Sequence, residues 1–142
     1  MDLVTNNPQP FVAWLKERLR LDKIQGEDDA QAYGFRKDGT IVGSFVFSEY
    51  TGNDVHMFCV AEDKRIFQRK YIRMMYDYCF EIMKVQRVSA MCNESNLQSR
   101  RLITGIGFKQ EGRLRRYFGN EDALVYGLLK DCLLYTSDAA DE

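Results

Sequence analysis

Lys64, Arg65, Arg69, Lys70 and Arg73 place five cations within ten residues. Around them Phe67, Tyr71, Met74, Met75, Tyr78, Cys79, Ile82 and Met83 recur at helical spacing. The cations therefore crowd the first turns of a helix, where each opposes the macrodipole at a cost of ~0.3 kcal/mol. An anion bound there would reverse that balance, because helix-start amides and nearby cations together hold phosphate. A solvated basic face without a ligand is the other reading. Arg100 and Arg101 open a second helical stretch at the same end. Short apolar runs, 54–62 and 87–92, precede the two helices. Two strands joined through such a helix imply a parallel pair with a right-handed crossover. Sites in such units lie at the carboxyl ends of the strands. Those ends are Ala61, Glu62 and Asp63, and Asn93, Glu94, Ser95 and Asn96.

Other reactive residues are sparse. The chain has one histidine, His56, and four cysteines, Cys59, Cys79, Cys92 and Cys132, with no C-x-x-C pair. The thiols read as reduced packing residues of a cytoplasmic protein, and no metal site is expected. Alternation puts His56 with Phe58 and Val60, as a hydrogen-bonded structural residue. At 142 residues, 45% apolar and 29% charged, the chain fits one globular domain. A net charge of −1 gives no global attraction to nucleic acid or anionic membrane. The arginines could form a local basic patch, but no RNP-like aromatic motif accompanies them. Neither a leader nor an apolar run of about 20 residues is seen, so secretion and membrane spanning are not expected. The expected state is a monomer or a homodimer.

The elements that must position these residues follow in order. Phe11, Trp14, Leu15, Leu19 and Leu21 mark an amphipathic helix from Pro10, capped by Asn6 or Asn7. A polar loop, 22–29, leads to a hairpin with Tyr33 and Phe35 on one face of its first strand. Asp38-Gly39 forms the turn, and Ile41, Gly43, Phe45 and Phe47 share a face of the second strand. The third antiparallel strand, 54–62, enters the crossover, with Asp63 as helix cap. Asn96 or Ser95 caps the next helix, which turns Leu102, Ile103 and Ile106 inward and ends at Gly107. Two strands close the order, turning at Gly119-Asn120. This is an α+β domain with one mixed sheet. Residues 132–142, CLLYTSDAADE, read as a translated sequencing adapter. The domain is therefore 1–131, with the native C-terminus lost.

The stretch NLQSRRLITGIGFKQEGRLR, followed by DALVYGLL, resembles the GNAT superfamily of acetyl-CoA-dependent N-acyltransferases. Its RimJ/RimL-like members and short phage members are nearest in flavour. The pattern N-x-x-S-x-x-L-x-x-x-x-G-F-x-x-E-G-x-x-R falls on Asn96, Ser99, Leu102, Gly107, Phe108, Glu111, Gly112 and Arg115, with Asp122 and Tyr126 beyond. The resemblance implies a sheet of antiparallel N-terminal strands and a central parallel pair splayed at the cofactor cleft. It implies acetyl transfer from acetyl-CoA, as co-substrate, to a primary amine on a protein N-terminus or a small molecule, in a ternary complex. Pantetheine would lie along Cys59, Val60 and Ala61, whose amides polarise the thioester, with Asn96 as a further contact or simply a cap. Helix-start amides at Phe67, Gln68 and Arg69, with Arg65, Lys70 and Arg101, would hold the pyrophosphate. Ser99 would protonate the departing thiolate. Glu62, Glu49 and Glu111 are candidate bases, with Glu62 at the strand end itself. Two departures stand out. The segment AEDKRIFQRKYI has no glycine where the family's pyrophosphate loop is glycine-rich, and Ile103 occupies the position of a common catalytic tyrosine. A catalytically degenerate binding or host-modulating protein of the same fold is the alternative.

Overall fold

The structure, a computed structural model, describes residues 1–130. The reading of residues 132–142 as a foreign tail lies outside them. The described residues hold the strands β1 (Asp2–Val4), β2 (Gln31–Lys37), β3 (Thr40–Ser48), β4 (Asp54–Ala61), β5 (Arg87–Asn93), β6 (Lys109–Leu114) and β7 (Ala123–Leu129). These seven form one sheet, in the order β1-β2-β3-β4-β5-β7-β6. Every neighbouring pair is antiparallel except β4 and β5, which are parallel. The expected α+β mixed sheet is therefore present. The edge strand β1 was not foreseen; three residues carry too little alternation to announce a strand.

Helix α1 (Gln9–Leu19) covers one face of the sheet, over β2, β3 and β4. Its cap is not Asn6 or Asn7. Pro8 takes that position without a side-chain bond, and its carbonyl receives the Phe11 and Val12 N–H groups at 3.0 Å. Pro10 lacks an N–H, so fewer donors at this end need a cap. Phe11, Val12, Trp14 and Leu15 bury themselves with Ile24, Ala30, Ala32 and Val46. The opposite face carries the larger core, which includes Phe35, Phe45, Met57, Val88 and Leu124. Helices α2 (Arg69–Tyr76) and α3 (Leu97–Gly105) lie with this second core.

The hairpin turn forms as expected, with Asp38 and Gly39 at φ 52° and 80°. A bulge follows it: Phe35 pairs with Gly43 but Arg36 pairs with Ile41, leaving Val42 unmatched. Ile41 therefore turns to the α1 face, not to the side of Phe45. The extra residue has a second use. The Val42 carbonyl accepts the N–H groups of Glu62 (2.9 Å) and Asp63 (3.2 Å), anchoring the end of β4.

The long helix expected from Asp63 onward is three pieces. Asp63 caps a 3-10 turn, Lys64–Phe67, by accepting the Arg65 N–H at 2.9 Å. Gln68 is extended at ψ 149°, so α2 starts afresh at Arg69. A π-helical stretch, Asp77–Ile82, continues it. The reset rotates the buried stripe to Ile72, Met75, Tyr76, Cys79 and Phe80. Met74 and Ile82, expected inward, are 36% and 69% exposed.

Candidate active site

Strands β4 and β5 pair over only Asp54↔Arg87 to Met57↔Ala90. Beyond that register β4 runs on to Ala61, held by β3, and β5 runs on to Asn93, held by β7. The two strands diverge, and a cleft of about 940 Å³ opens between them. Met57, Phe58, Cys59, Val60 and Ala61 all line it. Successive side chains of a strand point to opposite faces. A cleft lined by five in a row therefore passes through the sheet. On the α1 face its walls include Leu19, Leu21, Met91 and Asn93; on the other face, Phe67, Cys92, Ser99, Leu102 and Ile103.

The same alternation orients the backbone. Glu62 donates its N–H toward β3, so the amides of Ala61 and Cys59 face the other way. With no β5 partner beyond Met57, they open into the cleft. Strand divergence thus yields two donors on one apolar wall, the arrangement that can polarise a carbonyl. Burial pushes the Cys59 thiol well above its ordinary range, so it stays protonated and is no nucleophile.

Asn96 caps α3 through its side-chain oxygen, which accepts the Ser99 N–H at 3.1 Å. Both side chains face the cleft. Ile103, 8% exposed, lies behind them. Of the sequence-derived site residues, Cys59, Val60, Ala61, Phe67, Asn96 and Ser99 converge on the cleft. Glu62 does not line it; half exposed, it faces Arg18 at 3.5 Å. Glu49 and Glu111 are engaged elsewhere, with His56 at 3.2 Å and Arg87 at 2.7 Å. Arg65, Gln68, Arg69, Lys70 and Arg101 are exposed outside the lining. Phe67 brings the start of α2 to the cleft's edge, but the Gln68 N–H is taken by the Arg65 carbonyl at 3.1 Å. The Arg65 guanidinium clasps Asp63, with Nη2 at 2.6 Å and Nε at 3.0 Å.

Two groups of lining residues had no sequence signal as site residues. One is the chain leaving α1, Arg18 to Asp22; the other is the turn Tyr117 to Glu121. That turn is pinned in place. Arg113 bridges Glu94 at 2.7 Å and Asp122 at 2.9 Å, and Asp122 also accepts the Arg116 N–H at 2.9 Å. Glu121 accepts from Asn93 Nδ2 at 2.7 Å. The Ser95 and Asn93 side chains hold the Glu121 carboxyl below its ordinary 4.5. The Arg116 amide, then Arg113, hold Asp122 below its ordinary 3.8. Asp63 is lowered by its bonds to Arg65.

These shifts fix a sign. Each carboxyl binds its proton more weakly when folded, so its contribution is complete above the unfolded value and lost as pH falls through the folded one. Melting temperature should hold from pH 7 to about 5 and fall progressively below about pH 4.5. Asp122→Asn should flatten part of that fall in a series of thermal melts. An unchanged slope in the variant would show that Asp122 is not among the groups responsible.

No protein-family model matches the chain, and no curated protein matches it in sequence. Solved structures match it in shape. A mutant form of the spermidine N-acetyltransferase SpeG from Vibrio cholerae superposes with a TM-score of 0.75 at 15% identity, covering 96% of this chain and 99% of that one. The dodecameric form of that enzyme, in an intermediate state, gives 0.71 at 15% identity over 94% of this chain and 95% of that one. The fold is that of the GNAT N-acetyltransferases. At this identity the likeness concerns the fold alone.

Proposed function

We propose that the chain is an N-acyltransferase that moves an acetyl group from acetyl-CoA to a primary amine, by direct transfer in a ternary complex. The observation that carries this reading is the cleft through the sheet. A thioester entering from the α2/α3 face and an amine entering from the α1 face meet at the β4 edge with no covalent enzyme intermediate needed. The Cys59 and Ala61 amides receive the carbonyl oxygen as it gains charge. Val60 and Asn96 line the pantetheine path. Phe67, with the exposed Arg65, Gln68, Arg69, Lys70 and Arg101 beyond it, forms the diphosphate end. Ser99 gives a proton to the departing thiolate. Glu62, outside the lining, takes the amine's proton through water. The neighbours' named acceptor, spermidine, favours a small amine over a protein N-terminus. Cytoplasmic residence and the subtype nearest RimJ/RimL belong to the same reading.

One observation favours the alternative, a partner-binding protein of this fold. The glycine-free segment after β4 folds into a 3-10 turn closed by its own Asp63–Arg65 clasp. Calorimetric titration of acetyl-CoA into the protein separates the two. The enzyme reading expects micromolar affinity, about −8 kcal/mol. No heat of binding up to millimolar acetyl-CoA would overturn it in favour of the alternative.

A further inference from the structure

Among the described residues, Glu121 is the one carboxylate of the cleft wall that is held in position. Its Oε2 receives Asn93 Nδ2 at 2.7 Å, and Ser95 lies against the same carboxylate. Asn93 is itself fixed, its Oδ1 accepting both the Ser95 N–H and the Ser95 hydroxyl at 3.1 Å. The turn that carries Glu121 is tied by the Arg113 bridge to Glu94 and Asp122. Of the other described residues that line the cleft, Arg18, Arg20 and Asp22 are charged. Arg18 is stacked over Trp14 at 4.7 Å and faces Glu17 at 3.2 Å and Glu62 at 3.5 Å. Arg20 and Asp22 are exposed at the end of α1. The wall formed by the β6–β7 turn therefore presents a fixed negative charge to whatever enters from the α1 face.

We infer that Glu121 recognises a second, non-reacting cationic nitrogen of the acceptor, so that the substrate class is a diamine or longer polyamine. This rests on the acyltransferase reading and deepens it. The attacking nitrogen must be uncharged to use its lone pair. A carboxylate held as the anion by the Asn93 amide is a poor acceptor of that nitrogen's proton. Its natural partner is a nitrogen that keeps its charge throughout. Charge-assisted contact at that second nitrogen orients the chain of the amine and directs its other end toward the Cys59–Ala61 edge.

Three probes isolate the second charge: putrescine, butylamine and γ-aminobutyrate. They share one primary amine on a four-carbon chain and end in an ammonium, a methyl and a carboxylate. Each is titrated calorimetrically into the full chain saturated with CoA, and acetyl-CoA is titrated separately. Putrescine should bind at least about 10-fold tighter than butylamine, with γ-aminobutyrate weakest. Glu121→Gln keeps an acceptor for Asn93 and should bring putrescine and butylamine to within about twofold. Glu121→Lys should reverse the order in favour of γ-aminobutyrate. Acetyl-CoA affinity should not change in either variant, which also reports that the fold is intact. Equal binding of putrescine and butylamine to the wild type overturns the inference. So does a putrescine preference that survives Glu121→Gln, or no putrescine binding at all. Failure of acetyl-CoA to bind the wild type overturns the acyltransferase reading instead, and is scored independently.

Discussion

Gly34→Val should lower the melting temperature by about 10 °C, a loss of about 3 kcal/mol. Gly34 sits in β2 beneath the ring of Phe11, where a built Cβ would stand 2.2 Å from Cε1 and 2.3 Å from Cδ1 and Cζ. Phe11 is 1% exposed, packed with Val12, Leu15 and Val46, and the Arg36 guanidinium covers its ring at 5.2 Å. The ring has nowhere to retreat, so α1 must lift from the sheet. Interiors at native density transmit such a shift rather than absorb it. The chain leaving α1 contributes Arg18 to Asp22 to the cleft, so acceptor affinity should fall with stability. Gly112→Ala is the matched control, with nothing within 4 Å of its built Cβ, and should stay within about 0.5 kcal/mol of the wild type. Equal melting temperatures for the two variants would mean that the helix does not rest on this contact.

Ser99→Ala should reduce kcat about 100-fold with acetyl-CoA affinity unchanged within about twofold, given the proposed reaction. The backbone N–H of Ser99 is satisfied by Asn96 and does not depend on its side chain. Alanine is a better helix former than serine. The substitution thus removes a hydroxyl from the cleft wall and leaves α3 in place. Steady-state rates of CoA thiol release, with acetyl-CoA binding measured in parallel, give the result. Parallel loss of rate and affinity would make Ser99 a binding residue. An unchanged rate would move the proton donor elsewhere, and Tyr117, on the same cleft, would be tested next.

The parts of the fold legible from the chain were those written in local chemistry. Asp38-Gly39 announces its turn, Asn96 its cap, Gly107 its helix end at φ 111°. The parallel crossover followed from two apolar runs flanking a helix. Two other features depend on more than a residue's neighbours in sequence. The Val42 bulge is visible only in the pairing of β2 with β3, and it turned Ile41 to the wrong side of the expectation. The extended Gln68 broke a helix whose apolar spacing looked continuous, because a phase reset leaves the residue types unchanged. In the site, β4 and the start of α3 were readable because strand ends and caps lie where topology puts them. Glu121 was not. In sequence it is one acidic residue in a polar turn; only the pairing of β7 with β5 brings it to Asn93.

The short parallel ladder between β4 and β5 has a consequence for how the molecule resists opening. It comprises four residue pairs, against six between β3 and β4 and seven between β5 and β7. The sheet is in effect two well-knit halves joined along a narrow seam. Among the central pairings, protection of backbone amides against hydrogen exchange should be lower along that seam than along β3–β4 or β5–β7, because local opening follows the line with fewer bonds to break. Any molecule lodged between the halves touches both and ties them together. The gap that admits it lies at the shortest of the central pairings β3–β4, β4–β5 and β5–β7, so binding and rigidity are coupled at one place in the chain.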